Sequence, residues 1–204
     1  MYSIQSGLIL AFHGCDEAVV SEVVQGKSIL NPSENDYDWL GNGIYFWEHN
    51  SLRAMEYAEQ LSANPRGAKG KTLIKTPAVI GAVISLGRCL NLLESHSLHM
   101  VGKAYEALQI HSKRKDKALP QNTGGKDLKK RVLDCAVIET LHQMLDGESE
   151  CYYDSVRGVF TEGEHLYPNA GFHKEDHIQI CIRNPNCIKG FFLPRDLDNN
   201  HCKV

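Results

Sequence analysis

The chain has 204 residues, 42% of them hydrophobic and 23% charged, which argues against a disordered segment and suits one domain, 1–204, with its own core. Its 22 basic and 25 acidic residues leave a net charge of −3. As an average, that argues against a duplex-DNA coat or a polybasic membrane binder.

The run Gly7 to His13, GLILAFH, predicts a short buried strand. It is too short to span a bilayer and lacks the basic flank and cleavage site of a signal peptide. Asp16 is the expected N-cap of a helix carrying Ala18, Val19, Val23 and Val24, with Gly26 just past its end. Residues 31–43 are rich in Asn, Asp, Gly and Pro and predict a loop. Ile44–Glu48 predicts a strand, and Ser51–Leu61 a helix with Ser51 as its cap and Glu48 as a cap-region acid. Ala78–Leu86 reads as a central strand buried on both faces. Helices are expected over Ser95–His111 and Asp127–Leu145, with a mobile basic loop near 112–126 between them. Strands over Val156–Phe160, His177–Arg183 and Ile188–Leu193 close the order, with a long loop at 161–176. Helices in two clusters and strands at both ends predict an α+β fold.

Seven cysteines stand at 15, 89, 135, 151, 181, 187 and 202 with no CxxC pair, so a reduced, cytoplasmic protein without a zinc site is expected. His96, His99 and His111 read as solvated helix residues, and no metal is expected. P-loop, GxGxxG, GxSxG and HExxH signatures are absent from the sequence.

What remains is a set of strand-end residues: His13-Gly14, the loop Gly41-Asn42-Gly43 leading into Ile44-Tyr45-Phe46, and His177-Ile178-Gln179. Glycine after a histidine permits close backbone approach to a ligand, and a tyrosine ring stacks on flat heteroaromatics. Alternation puts His177 and Gln179 on one face of their strand. Arg157, in a later strand, is a candidate for a phosphate contact or for a pair with Asp154.

His-Gly followed by Gly-x-Gly-Ile-Tyr-Phe resembles the diphtheria-toxin-type ADP-ribosyltransferases, which include the poly(ADP-ribose) polymerases. The stretch Ile80 to Gly87 resembles the strand that follows the tyrosine motif in that group. The resemblance implies a split β-sandwich and an enzyme that consumes NAD. By resemblance, His13 holds ribose hydroxyls, Gly14 pairs its backbone with the nicotinamide carboxamide, and Tyr45 stacks on the nicotinamide. Gly43 and Arg157 join the NAD-binding set. A glutamate usually opens the last motif strand of that group; here Gln179 takes that place, with Glu175 as the alternative. A neutral amide is no base, so transfer of a single ADP-ribose is expected rather than polymer growth. The acceptor would be protein or nucleic acid, and a bacterial toxin, effector or defence protein, with an antitoxin or regulator as partner, fits the resemblance. An NAD glycohydrolase and an inactive ADP-ribose-binding module are the rivals.

The charge is uneven. Residues 113–131 carry eight basic side chains against Asp116 and Asp127, a local +6 in a chain that is otherwise −9. Such a segment would steer a phosphate-rich acceptor. Neutralising Lys113, Arg114, Lys115 and Lys117 should therefore weaken ADP-ribose transfer to RNA or DNA, read as label incorporated; unchanged incorporation reduces the segment to a solvated surface.

Overall fold

A computed structural model describes residues 7–64, 73–125, 128–145, 152–195 and 200. The expected Cys151 and Cys202 lie outside these residues, as do Lys126 and Asp127. Among the described residues seven strands form one mixed sheet: β1 (Ile9–Asp16), β2 (Ile44–Glu48), β3 (Pro77–Ile84), β4 (Cys89–Asn91), β5 (Ser155–Phe160), β6 (His177–Ile182) and β7 (Ile188–Phe192). Their spatial order is β4-β5-β6-β2-β1-β3-β7, and only β4 and β5 run parallel. The α-helices among the described residues are α1 (Glu17–Val24), α2 (Ser51–Ala63), α3 (Ser95–Arg114) and α4 (Val132–Leu145). The class is α+β. Among the described residues no helix is long and apolar enough to cross a membrane.

The ends of the helices follow capping chemistry. Asp16 Oδ1 accepts from the Ala18 N–H at 3.0 Å, and Gly26 follows α1 with φ of 69°. The α2 cap is Asn50 rather than Ser51, because its Oδ1 accepts from the Arg53 N–H at 2.9 Å. Helix α3 continues to Arg114, into the stretch expected as a loop, and its basic last turn complements the helix dipole. Helix α4 starts only at Val132, not at Asp127. Asn122 Oδ1 takes the Leu133 and Asp134 N–H groups at 2.8 and 3.2 Å, and a Thr123–Lys130 bridge holds the chain before them. The loop between α3 and α4 is thus tied down at its C-terminal end.

Strand alternation sorts the side chains onto two faces. One carries Ala11, Cys15, Ile44, Phe46, Ile80, Ala82, Ile84, Ile180 and Ile182, and α1 covers it through Val20 and Val23. On the other face α2 lies over β1 and β3, and α3 and α4 pack Ala104, Val137, Ile138 and Leu141 with Leu90, Val156 and Cys181. The five described cysteines are free and buried. Burial pushes the Cys15, Cys89 and Cys135 thiols up to about 11, so they behave as small apolar groups.

The sheet is least continuous at its centre. β1 runs beside β3 from Ile9 to Asp16, but joins β2 only through Ala11–Glu48 and Phe12–Trp47. All seven described strands nonetheless belong to one sheet, which narrows at this seam.

Gly14 sets how closely α2 approaches the seam. A Cβ there would stand 2.0 Å from the Ala54 carbonyl oxygen and 3.2 Å from the Ala58 Cβ. Gly14→Ala should therefore destabilise the fold by about 1–3 kcal/mol through overpacking, read as a lower denaturant midpoint with an unchanged slope.

Candidate functional site

The site begins at the seam. Leu10 O accepts from the His49 N–H across to the β2 side at 3.0 Å. Backbone polar groups alternate in direction along a strand, so those of Phe12 and Gly14 also turn toward β2. Beyond the Phe12–Trp47 pair, the Gly14 N–H and C=O face the gap. A cavity of about 300 Å³ lies alongside it, lined by His13, Gly43, Tyr45, Trp47, Arg53, Tyr57, Glu162, His177 and Gln179 among others. That volume is at the small end for ligand pockets.

His13 shares its face with Phe46, whose ring centroid is 5.8 Å away, and reaches the cavity through the seam. Its Nδ1 lies 2.8 Å from the Tyr45 carbonyl oxygen. A carbonyl only accepts, so Nδ1 carries the proton and Nε2 of the neutral ring is an acceptor. Burial pushes the His13 pKa down, against the upward pull of that hydrogen bond. The Tyr45 hydroxyl donates to Gly41 O at 2.8 Å and accepts from the Leu40 N–H at 3.0 Å, which fixes the ring at the cavity wall. Burial, reinforced by Cys181 and Asp38, holds this phenol well above its usual range, so it stays neutral.

The glycine loop before β2 is held from α4. Glu139 Oε1 accepts from the Asn42 N–H at 2.8 Å and from Arg183 Nη1 at 2.6 Å. Desolvation pushes the Glu139 carboxyl up, but the Arg183 and Asn42 hydrogen bonds outweigh it and hold the group below its usual range.

Gln179 lies between Trp47 and Gly158 on its neighbouring strands. Gly158 leaves room for Trp39, whose ring carbon would be 2.9 Å from a Cβ there. Trp39 Nε1–H donates to Gln179 Oε1 at 2.7 Å. With the oxygen so engaged, the amide Nε2 has no partner among the described residues. Glu175 does not line this cavity; its carboxylate accepts from Arg53 Nη2 at 3.0 Å.

Two expectations are corrected. Arg157 meets neither the cavity nor Asp154. Its Nε and Nη2 form a fork on Glu48 at 2.5 and 2.8 Å, and Nη1 reaches Asn91 Oδ1 at 3.3 Å. The cause is alternation: Gly158 and Gln179 share the cavity face, which turns Arg157 to the opposite one with Glu48. Glu48 accordingly supports β5 rather than the start of α2. Asp154 instead accepts from the Arg88 N–H and from Asn184 Nδ2.

The structure also adds residues that the motifs did not mark. Arg53, only 5% exposed, sends Nη2 to Glu162 at 3.2 Å as well as to Glu175. Lys129 Nζ reaches Glu162 Oε1 at 3.0 Å. Arg131 lies over the Phe160 ring at 4.2 Å and the Trp39 ring at 5.2 Å. Of the basic segment, Lys129 is therefore part of the cavity wall. Only the breaker-free cationic run around Lys129 hinted at this in the sequence; nothing there singles out Arg53 within a helix or Glu162 within a loop.

No known family profile matches the chain, and no solved structure matches it. The uncharacterized protein MJ0359 of Methanocaldococcus jannaschii is 25% identical over 199 residues, covering 87% of this chain and 83% of that protein.

Two outcomes follow for the walls of the site. The depressed Glu139 carboxyl contributes stability that is present above about its unfolded value of 4.5 and is lost as pH falls through its lower folded value. Glu139→Gln should lower the thermal midpoint at neutral pH and flatten its decline on acidification below 4.5; an unaltered acid profile would show that another carboxylate governs it. Trp39→Phe removes one donor while keeping a ring, and should cost about 1 kcal/mol in urea unfolding.

Proposed function

We propose that the chain is an ADP-ribosyltransferase that cleaves NAD and moves a single ADP-ribose to a macromolecule, with the split sheet of that fold type. His13, Tyr45 and Gln179, which come from three strands far apart in sequence, line one cavity. That convergence carries the reading, and it includes the three side chains that the family resemblance assigns to catalysis.

The residues divide the work by their hydrogen-bonding capacity. Gly14 turns a donor and an acceptor into the seam, the complement of a carboxamide. The Tyr45 ring offers a flat apolar face to the pyridine. His13 Nε2, unprotonated, accepts from a ribose hydroxyl. The Gln179 Nε2 donates to a neighbouring hydroxyl oxygen. Loss of nicotinamide passes through an oxocarbenium-like transition state, so positioning of the two rings supplies most of the acceleration. Gln179 has no carboxylate to activate a second sugar, which favours one transfer over chain growth. The acceptor is protein or nucleic acid, and such an enzyme suits a toxin, effector or defence protein with its own regulator. Water in place of that acceptor would make the same site an NAD glycohydrolase.

The test uses NAD labelled in the adenylate half. Incubation with cell extract should release nicotinamide and leave label on a macromolecule. His13→Ala, Tyr45→Ala and Gln179→Ala should each lower turnover by about 10²-fold or more while leaving the circular-dichroism spectrum unchanged. Nicotinamide release without macromolecular label selects the glycohydrolase, and no release at all removes both enzyme readings.

A further inference from the structure

Among the described residues, three around the cavity carry buried polar atoms that lack a hydrogen-bond partner: Trp47 Nε1, Arg53 Nε and Nη1, and His177 Nε2. All three residues line the cavity and are at least nine-tenths buried, at 3%, 5% and 7% exposure. Buried polar groups are seldom left unpaired in native folds, so each of these atoms calls for a partner. They belong to β2, α2 and β6, and the Trp47 and His177 rings lie 6.1 Å apart on one sheet face. Glu56 approaches Arg53 Nη1 only to 3.7 Å, beyond hydrogen-bond distance.

The tautomer of His177 is determined by its other nitrogen. Nδ1 lies 2.5 Å from the Glu175 carbonyl oxygen, so Nδ1 carries the proton and Nε2 presents a lone pair. The cavity thus offers donors from Trp47 and Arg53 and an acceptor from His177. A hydroxyl group complements this set: its oxygen has two lone pairs for two of the donors, and its proton goes to the acceptor. A phosphate or carboxylate fits less well. It brings no proton for His177 and would stand near Glu162 and Glu175, which already neutralise Arg53.

Resting on the transferase reading above, we propose that His177 is the general base that activates a hydroxyl acceptor. As the bond from the ribose C1 to the nicotinamide nitrogen breaks, its electron pair leaves with neutral nicotinamide. The acceptor oxygen bonds to that carbon, and its proton passes to His177 Nε2. The resulting imidazolium faces the Glu162 and Asp176 carboxylates, with Arg53 opposing, and returns its proton to solvent when product leaves. The rings packed on it, Trp47 and Phe160, do not titrate in this range. Burial, with Arg53 in the same direction, lowers the His177 pKa from 6.5, against the Glu175 carbonyl bond and the nearby carboxylates. The base is therefore ready at neutral pH and is lost only as pH falls below that value.

The experiment measures transfer from labelled NAD, across a pH series, to the separated protein and RNA fractions of a cell extract, and to water alone. NAD binding is followed by equilibrium dialysis. Wild type should transfer with an acid limb below 6.5. His177→Gln should bind NAD as wild type does, transfer about 10²-fold more slowly, and lose that limb. The product should be an acetal on oxygen, resistant to neutral hydroxylamine, and its presence in the protein or the RNA fraction identifies the source of the hydroxyl. Should His177→Gln not fold, Trp47→Phe serves, because it removes one donor and keeps a ring. It should raise the acceptor KM several-fold at unchanged NAD affinity. Transfer by either folded variant at the wild-type rate and KM overturns the proposal, as does ADP-ribose found on carboxylate or phosphate. If wild type releases no nicotinamide, the transferase reading fails first and this one with it; release by wild type with an unimpaired His177→Gln removes only the base.

Discussion

A buried guanidinium holds the site together. Arg53 sits on the packed side of α2, beside Ala54 and Ala58, where an unpaired charge would cost several kcal/mol. Glu162 and Glu175 offset that cost by sharing Nη2 at 3.2 and 3.0 Å. These two carboxylates stand at opposite ends of the 161–176 loop, so one ion cluster pins the loop to the helix on the far side of the seam. Lys129 adds a second cation on Glu162. The charges of the cavity wall are shared: Glu162 meets both Arg53 and Lys129, and Arg53 meets both Glu162 and Glu175.

The sheet around this cluster is built to leave a gap. β1 holds β3 over its whole length yet meets β2 through two residue pairs. Helix α2 takes one side, resting on the bare Gly14, while α3 and α4 take the other. Gly158 opens space for Trp39, which in turn orients Gln179. A missing side chain at each of these two positions is what allows a helix and an indole to define the cavity rather than fill it.

Both cavity histidines are neutral for the same reason. Each is buried, and each donates Nδ1–H to a backbone carbonyl, leaving Nε2 as a lone pair. The glutamates nearby are all engaged by cations. A cavity with two neutral imidazoles and the amides of Asn31, Gln60 and Gln179 is suited to exchanging hydrogen bonds with hydroxyls. From the +6 segment, Lys129 lines the cavity, where it pairs with Glu162.

By itself, the sequence was enough to locate six of the seven strands, the helices and the residues His13, Gly43, Tyr45 and Gln179. Apolar runs, breakers and alternation are local signals, and the motif residues sit at strand ends where those signals are strongest. It misjudged where α3 ends and α4 begins, because Asn122 caps a helix ten residues downstream through a contact that no local pattern carries. The tertiary structure alone decided what each polar residue meets. Arg157 went to Glu48 because strand pairing assigned it the opposite face. Glu175 went to Arg53, and Arg53, Glu162 and Trp47 joined the cavity, because ion pairs and orphaned donors are properties of space between elements. Side chains 109 to 122 positions apart have no sequence signature for the partner they will find.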